Sequence, residues 1–232
     1  MGERFTHWSF LHWIILVLTC LITFLLIFVA RKNKNTFIPQ KISYSLSILL
    51  ILNFIAYNIY RIRSGFWEIR YDLPMEFCNW SMIVTSIALF TKNQTFSELS
   101  YFWVMAGSIQ GVITPDLQVT FPHIYFFIFF IAHSGLVIAS LYMVIGLKIY
   151  PKKFAVVRVF FYTQIFLITA HLTNILLKSN YGYTMNKPLA GSVLDYFGEW
   201  PYYLFTMEII GMLLFLVLYL PFYFINKSKS FQ

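Results

Sequence analysis

Long apolar runs alternate with short polar turns along the whole chain. Seven of these runs approach the ~20 residues that a helix needs to cross hydrocarbon. They fall at about Phe10–Ala30, Ser43–Tyr60, Pro74–Phe90, Phe96–Ile113, Pro122–Leu147, Phe154–Leu177 and Trp200–Phe224. Lipid gives backbone N–H and C=O groups no partners, so each run is expected to be helical. The period-2 alternation of a membrane barrel is absent. The third and fourth runs are the shortest, joined by the polar turn Thr91-Lys92-Asn93-Gln94-Thr95. If one of them fails to span, the bundle has six crossings rather than seven. The pattern predicts an all-α polytopic membrane protein, a single transmembrane bundle over residues 1–232.

Composition removes the other classes. Hydrophobic residues make up 59%, aromatic residues 21% and charged residues 11%, with a mean hydropathy of +0.69. A soluble domain carries ~25% charged residues, so this chain has too little charge to coat a water-facing surface. The net charge of +8 would suggest nucleic acid in a soluble protein. Here no basic run interleaved with aromatics stands outside the apolar segments, and no nucleic-acid partner is expected. With seven helices, eleven of the 17 Lys and Arg residues lie on one side, at Arg31–Lys41, Lys92, Lys148–Arg158 and Lys227–Lys229. The other six lie opposite. Cytoplasmic loops carry the excess of Lys and Arg, which predicts a protein of the cytoplasmic membrane with its N-terminus outside and its C-terminus inside.

Against this apolar background the titratable groups stand out, because such groups at membrane depth are costly and face a cavity or a partner. At ~1.5 Å rise per residue, Cys78 lies about 6 Å beyond Pro74, and His171 roughly 9 Å inward from Leu177. Glu208 lies about 12 Å inward from Trp200, and His133 about 16 Å from Pro122. The alternating helix directions bring all four into the outer half. Such a set suits acyl transfer: a thiol nucleophile, a histidine base, and a carboxylate that orients the imidazole. Glu76, two residues before Cys78, would point to a different side of a helix.

Each group also has a purely structural role open to it. A buried cysteine is commonly an inert small hydrophobe, as Cys20 is expected to be. Histidines can bond between helices. Glu208 could be paired with Arg158 or a histidine, or serve a transporter. His7, His12 and His123 fall at interfaces, where solvation is the default. Gly107-Ser108-Ile109-Gln110-Gly111 reads as a small-residue spacing for close helix packing. No Gly-x-Ser-x-Gly elbow, zinc-protease helix, Walker loop or Cys-x-x-Cys pair occurs. No cofactor is called for, and the scattered histidines have no metal-ligand spacing.

The outer loops are long, aromatic and punctuated by Gly and Pro: Arg61–Leu73, Thr114-Pro115-Asp116 leading to Phe121-Pro122-His123, and Lys178–Glu199 leading to Trp200. Loops of this kind can fold over a bundle mouth and carry function. Glu76, Asp116, His123, Asn180, Lys187 and Trp200 are therefore candidates for substrate contact, although interfacial anchoring is the default for any single aromatic.

Several short motifs occur in a telling order: Leu73-Pro74-Met75-Glu76-Phe77-Cys78, Ile113-Thr114-Pro115-Asp116, Phe121-Pro122-His123, Ala132-His133, Asn180-Tyr181, Lys187-Pro188 and Trp200-Pro201. In that order and spacing the chain resembles the bacterial YwaF-type integral membrane proteins, whose vertebrate relative is transmembrane protein 164. The resemblance runs roughly from the second helix to the seventh. It implies a cysteine-dependent acyltransferase that moves fatty acyl chains between phospholipids. More distant relatives resemble fatty-acid ester hydrolases with a hydroxyl nucleophile and a membrane histidine. Carried onto this chain, the resemblance makes Cys78 the nucleophile and favours His133 as base, whereas depth alone favours His171. The expected substrates are a membrane phospholipid and a lysophospholipid. A non-enzymatic solute transporter or lipid-binding partner protein is the alternative.

Overall fold

The computed structural model describes residues 4–188 and 193–229, and within these every regular element is helical. Helix α1 spans Phe10–Lys32, α2 Ile38–Arg63, α3 Phe77–Thr91 and α4 Gln94–Trp103. A π-turn at Val104–Ser108 joins α4 to the short α5, Gln110–Ile113. Helix α6 covers Ile124–Leu141 and ends in a second π-turn, Tyr142–Gly146; α7 covers Ala155–Leu177 and α8 Tyr202–Lys229.

Short polar side chains set the starts. Ser9 accepts the His12 N–H ahead of α1, and Asn93 accepts those of Thr95 and Phe96 at α4. His123 accepts the Tyr125 N–H at α6. Such caps satisfy amide groups that the helix itself leaves free.

Among the described residues, five helices are long and apolar enough to cross a membrane: Phe10–Lys32, Ile38–Arg63, Ile124–Gly146, Ala155–Leu177 and Tyr202–Asn226. Helix α3 is a shorter apolar helix, and the α4–α5 rod is interrupted by its π-turn. These are the two segments whose spanning the sequence left open.

Helix α6 is the central post. It packs against α1, α2, α3, α4, α5 and both π-turns, and most of it is buried, whereas α8 is largely exposed. The outward faces of α1, α2, α7 and α8 expose large apolar side chains such as Phe24, Leu52, Leu176 and Phe205, far more than a water-soluble monomer presents. Helices α3 and α4 lie inside this shell. Hydroxyls join them, with Thr85 and Ser100 2.7 Å apart and Ser47 of α2 donating to the Ser86 carbonyl at 3.0 Å.

One ion pair secures the basic end. Glu98, 1% exposed, receives Arg158 through Nε at 3.0 Å and Nη2 at 2.8 Å. Arg158 is thereby committed to Glu98 and does not partner Glu208. At the opposite end the loops interlock. The Tyr181 hydroxyl donates to the Ile69 carbonyl and accepts the Leu73 N–H. His12 is fully buried rather than solvated: Nδ1 accepts the Trp8 N–H, and Nε2 donates to the Val112 carbonyl, which the short α5 leaves free.

Candidate active site

A cavity of about 600 Å³ opens among α2, α3, α6, α7, α8 and the outer loops. Its wall is largely apolar, with Phe54, Met82, Leu136, Phe160, Leu167 and Phe215 among the lining residues. That volume lies within the usual range of small-molecule sites. Cys78, His133, Glu208, Glu76 and Asp116 all line it, and among the described residues no Lys or Arg does.

Cys78 is the second residue of α3, one residue after Phe77 and two after the cap residue Glu76. Glu76 has extended backbone, φ −73° and ψ 149°, and makes no side-chain cap. The expectation that Glu76 faces away from Cys78 assumed helical geometry at both positions. The extended cap instead turns its carboxylate to the same cavity, where Oε2 accepts the Gly182 N–H at 3.3 Å. Among the described residues the Phe77 and Cys78 N–H groups have no acceptor. Free amides and a positive dipole end at the start of a helix can hold a developing oxyanion. Ser108 Oγ lies near the Cys78 thiol and is buried without a well-formed hydrogen bond among the described residues.

His133 is held on three sides. Its Nδ1 donates to the Phe129 carbonyl at 2.9 Å, since a carbonyl can only accept. In the neutral imidazole this leaves Nε2 as the base. The Phe129 ring stacks on the imidazole with centroids 4.2 Å apart. On the other flank a Cβ at Gly111 would come within 2.1 Å of His133 Cδ2, and one at Gly107 within 2.6 Å of the Phe77 ring. The two glycines, read from sequence as helix-packing residues, make room for site side chains instead. The intervening π-turn sets this register: the Ile109 N–H bonds back five residues to the Val104 carbonyl. Such bulges recur at functional sites.

Glu208 lines the cavity without a hydrogen bond or ion pair among the described residues. No hydrogen bond joins Cys78 directly to His133 among them. Gln164 also lines the cavity and has a buried, unpaired Nε2. Cys20 faces outward from α1.

The remaining candidates, Asp116 apart, are elsewhere. His171 is not in the cavity wall; its Nδ1 lies 3.2 Å from Thr184 Oγ1, tying α7 to the outer loop. Asn180 Oδ1 accepts the N–H groups of Met185 and Asn186, and so shapes that loop. His123 is the cap of α6 and is exposed. Lys187 pairs with Glu199 at 3.6 Å, and Trp200 Nε1 donates to the Thr184 carbonyl. Asp116 reaches the cavity from an exposed loop and accepts Gln118. Among the described residues no three of His, Cys, Asp and Glu gather as a metal site.

Sequence reading missed a polar knot at the mouth. Asp72, 3% exposed, accepts Tyr57 and Arg61 Nε at 2.7 Å each, Arg61 Nη2 at 2.9 Å and the Glu68 N–H at 2.8 Å. Burial alone would raise the Asp72 carboxyl, but Arg61, the Glu68 amide and Tyr57 hold it below the usual carboxylate range. Tyr183, also in the wall, is pushed up by burial and then by the charge of Glu76. Tyr57 belongs to both knot and cavity, so the knot fixes part of the site wall.

An all-helical chain with several apolar, outward-facing helices and a titratable cavity at one end is a multi-pass membrane protein. The chain belongs to the TMEM164 family, whose family model matches residues 5–219. No curated protein and no solved structure matches it.

Proposed function

We propose that the protein transfers fatty acyl chains between glycerophospholipids and lysophospholipids through a thioester on Cys78. The observation that carries this reading is the shared apolar cavity, which holds Cys78 at a helix start and His133 with Nδ1 occupied. In the first half-reaction Sγ attacks the ester carbonyl of a donor lipid and gives its proton to His133 Nε2. The carbonyl oxygen takes the negative charge beside the unpaired amides of Phe77 and Cys78. The C–O bond breaks, His133 returns the proton to the leaving lysolipid oxygen, and the acyl chain stays on sulfur. In the second half-reaction an acceptor hydroxyl passes its proton to Nε2 and attacks the thioester, and the thiol is regenerated. Glu208 faces the same space as the carboxylate that steadies the imidazolium. The two-step route replaces one difficult transfer with two easier ones.

The same reading takes α3 and the α4–α5 rod as spanning elements. That gives seven crossings in the cytoplasmic membrane, with the N-terminus outside. A lipid ester then reaches Cys78 from the outer half of the bilayer. A transporter would need a polar path between the two faces, whereas this cavity shares no lining residue with the crevice at the basic end.

The test is acyl transfer in vesicles containing phosphatidylcholine with a labelled chain and an unlabelled lysolipid acceptor. Wild type and Cys20→Ser should form labelled acceptor, and Cys78→Ala should not. Transfer by Cys78→Ala at the wild-type rate would overturn the reading. Labelled free fatty acid in place of labelled acceptor would make the protein a hydrolase.

A further inference from the structure

The end of the bundle remote from Cys78 has a second crevice, of about 470 Å³, built from three separate turns. Lys34 and Thr36 come from the α1–α2 turn, Lys92 from the α3–α4 turn and Lys148 from the α6–α7 connection, with Gln40 from the first turn of α2 and Gln94 from the start of α4. Three lysines thus line one space. Among the described residues none of them has a carboxylate partner. The one described carboxylate at this end is Glu98, already held by Arg158 through two nitrogens. Like charges gathered without a counter-charge are unfavourable unless an anion joins them.

The backbone favours the same occupant. Lys92 and Lys148 both have left-handed φ, 53° and 58°, a conformation uncommon for residues other than glycine and asparagine. The α2 and α4 helices both start at this crevice, with their positive dipole ends toward it.

Large apolar side chains are exposed beside it. Phe37 is 79% exposed, Phe90 42% and Ile145 40%, each in a segment that supplies one of the lysines. Cations at helix ends beside outward-facing apolar side chains lie at the depth of lipid headgroups. We propose that this crevice binds the phosphate headgroup of an anionic membrane phospholipid, at a site separate from the Cys78 cavity and independent of its chemistry.

The full-length protein in neutral detergent is titrated by calorimetry with short-chain phosphatidylglycerol, short-chain phosphatidylcholine and inorganic phosphate. Each lysine near a membrane surface is worth about a fivefold change in affinity for an anionic lipid. Wild type should prefer phosphatidylglycerol over phosphatidylcholine by about tenfold or more, and inorganic phosphate should not displace it. The variant Lys34→Gln/Lys92→Asn/Lys148→Asn, with asparagine at the left-handed positions, should lose that preference. Lys41→Gln/Lys152→Gln/Lys153→Gln, which removes as many charges outside the crevice, should keep it. If melting shows the crevice variant to be unfolded, Lys34→Gln alone carries the test, with about fivefold weaker phosphatidylglycerol binding. Equal loss in both triple variants would reduce the effect to diffuse charge and overturn the site. So would equal binding of the two lipids by wild type. Displacement of phosphatidylglycerol by inorganic phosphate would overturn the lipid as its occupant.

Discussion

Gly111 and His133 are interlocked: a single methyl group at Gly111 would lie 2.1 Å from His133 Cδ2 and 2.7 Å from its Nε2. The imidazole occupies the place of a side chain on the neighbouring rod, and its bond to the Phe129 carbonyl keeps it there. Gly111→Ala should therefore displace the ring even though alanine favours helix. The expected result is at least about a tenfold loss of acyl transfer, as small misplacements of catalytic groups produce, with the helical circular dichroism preserved. Unchanged transfer would mean that the ring position is irrelevant to the reaction.

The two candidate histidines, His133 and His171, should separate in their pH behaviour. His133→Ala should slow acylation at neutral pH and recover partly as pH rises and the thiol ionises unaided. His171→Ala loses the contact to Thr184 and should lower Tm. Its rate should have the same pH dependence as wild type. Alkaline recovery in the His171 variant, and not in the His133 variant, would exchange their roles.

Asp72 makes stability at the mouth pH-dependent. Its carboxyl is held below the usual range by Arg61, the Glu68 amide and Tyr57 against the opposing effect of burial. A group whose pKa is depressed on folding contributes stability above its unfolded pKa, ~3.9 for aspartate. That stability is lost as pH falls through the folded value. Wild-type Tm should thus decline on acidification below about pH 4. Asp72→Asn should be less stable at pH 7, by on the order of 2 kcal/mol, and should show a flatter acid limb. Thermal unfolding of both proteins between pH 3 and pH 7, taken as roughly spanning that titration, reads the difference.

Sidedness follows from the basic asymmetry and the seven-crossing proposal. A cysteine introduced at Lys187 should react with an impermeant thiol reagent from outside intact cells, and one at Lys152 should not. The reverse labelling would invert the orientation. Labelling of both would contradict a membrane crossing by α7, which lies between the two positions.

Helix placement was largely legible because apolar runs at membrane depth admit little besides helix. All seven runs contain helix, including the two short ones. What remained hidden depended on local backbone or on distant pairing. The π-turn at Val104–Ser108 is a one-residue shift in hydrogen-bond register, with no marker in apolar periodicity, yet it precedes Gly111 and so bears on the setting of His133. Helical counting puts Glu76 on the wrong side because its extended cap lies outside the helix. Glu98–Arg158 and Arg61–Asp72 bridge separate segments of chain, which spacing alone cannot match. Asn180, Lys187 and Trp200 share an outer loop with neighbours that they bind, and this structural use looks the same in sequence as substrate contact.

The most direct measurement is covalent capture of the acyl chain. The protein is incubated with a phospholipid carrying a labelled fatty acyl chain and no lysolipid acceptor, then denatured and treated with hydroxylamine. A label that is retained through denaturation, released by hydroxylamine, abolished or strongly reduced in Cys78→Ser and unchanged in Cys20→Ser is the predicted result. Full transfer by Cys78→Ser, or a label that persists in hydroxylamine, would contradict a thioester on Cys78.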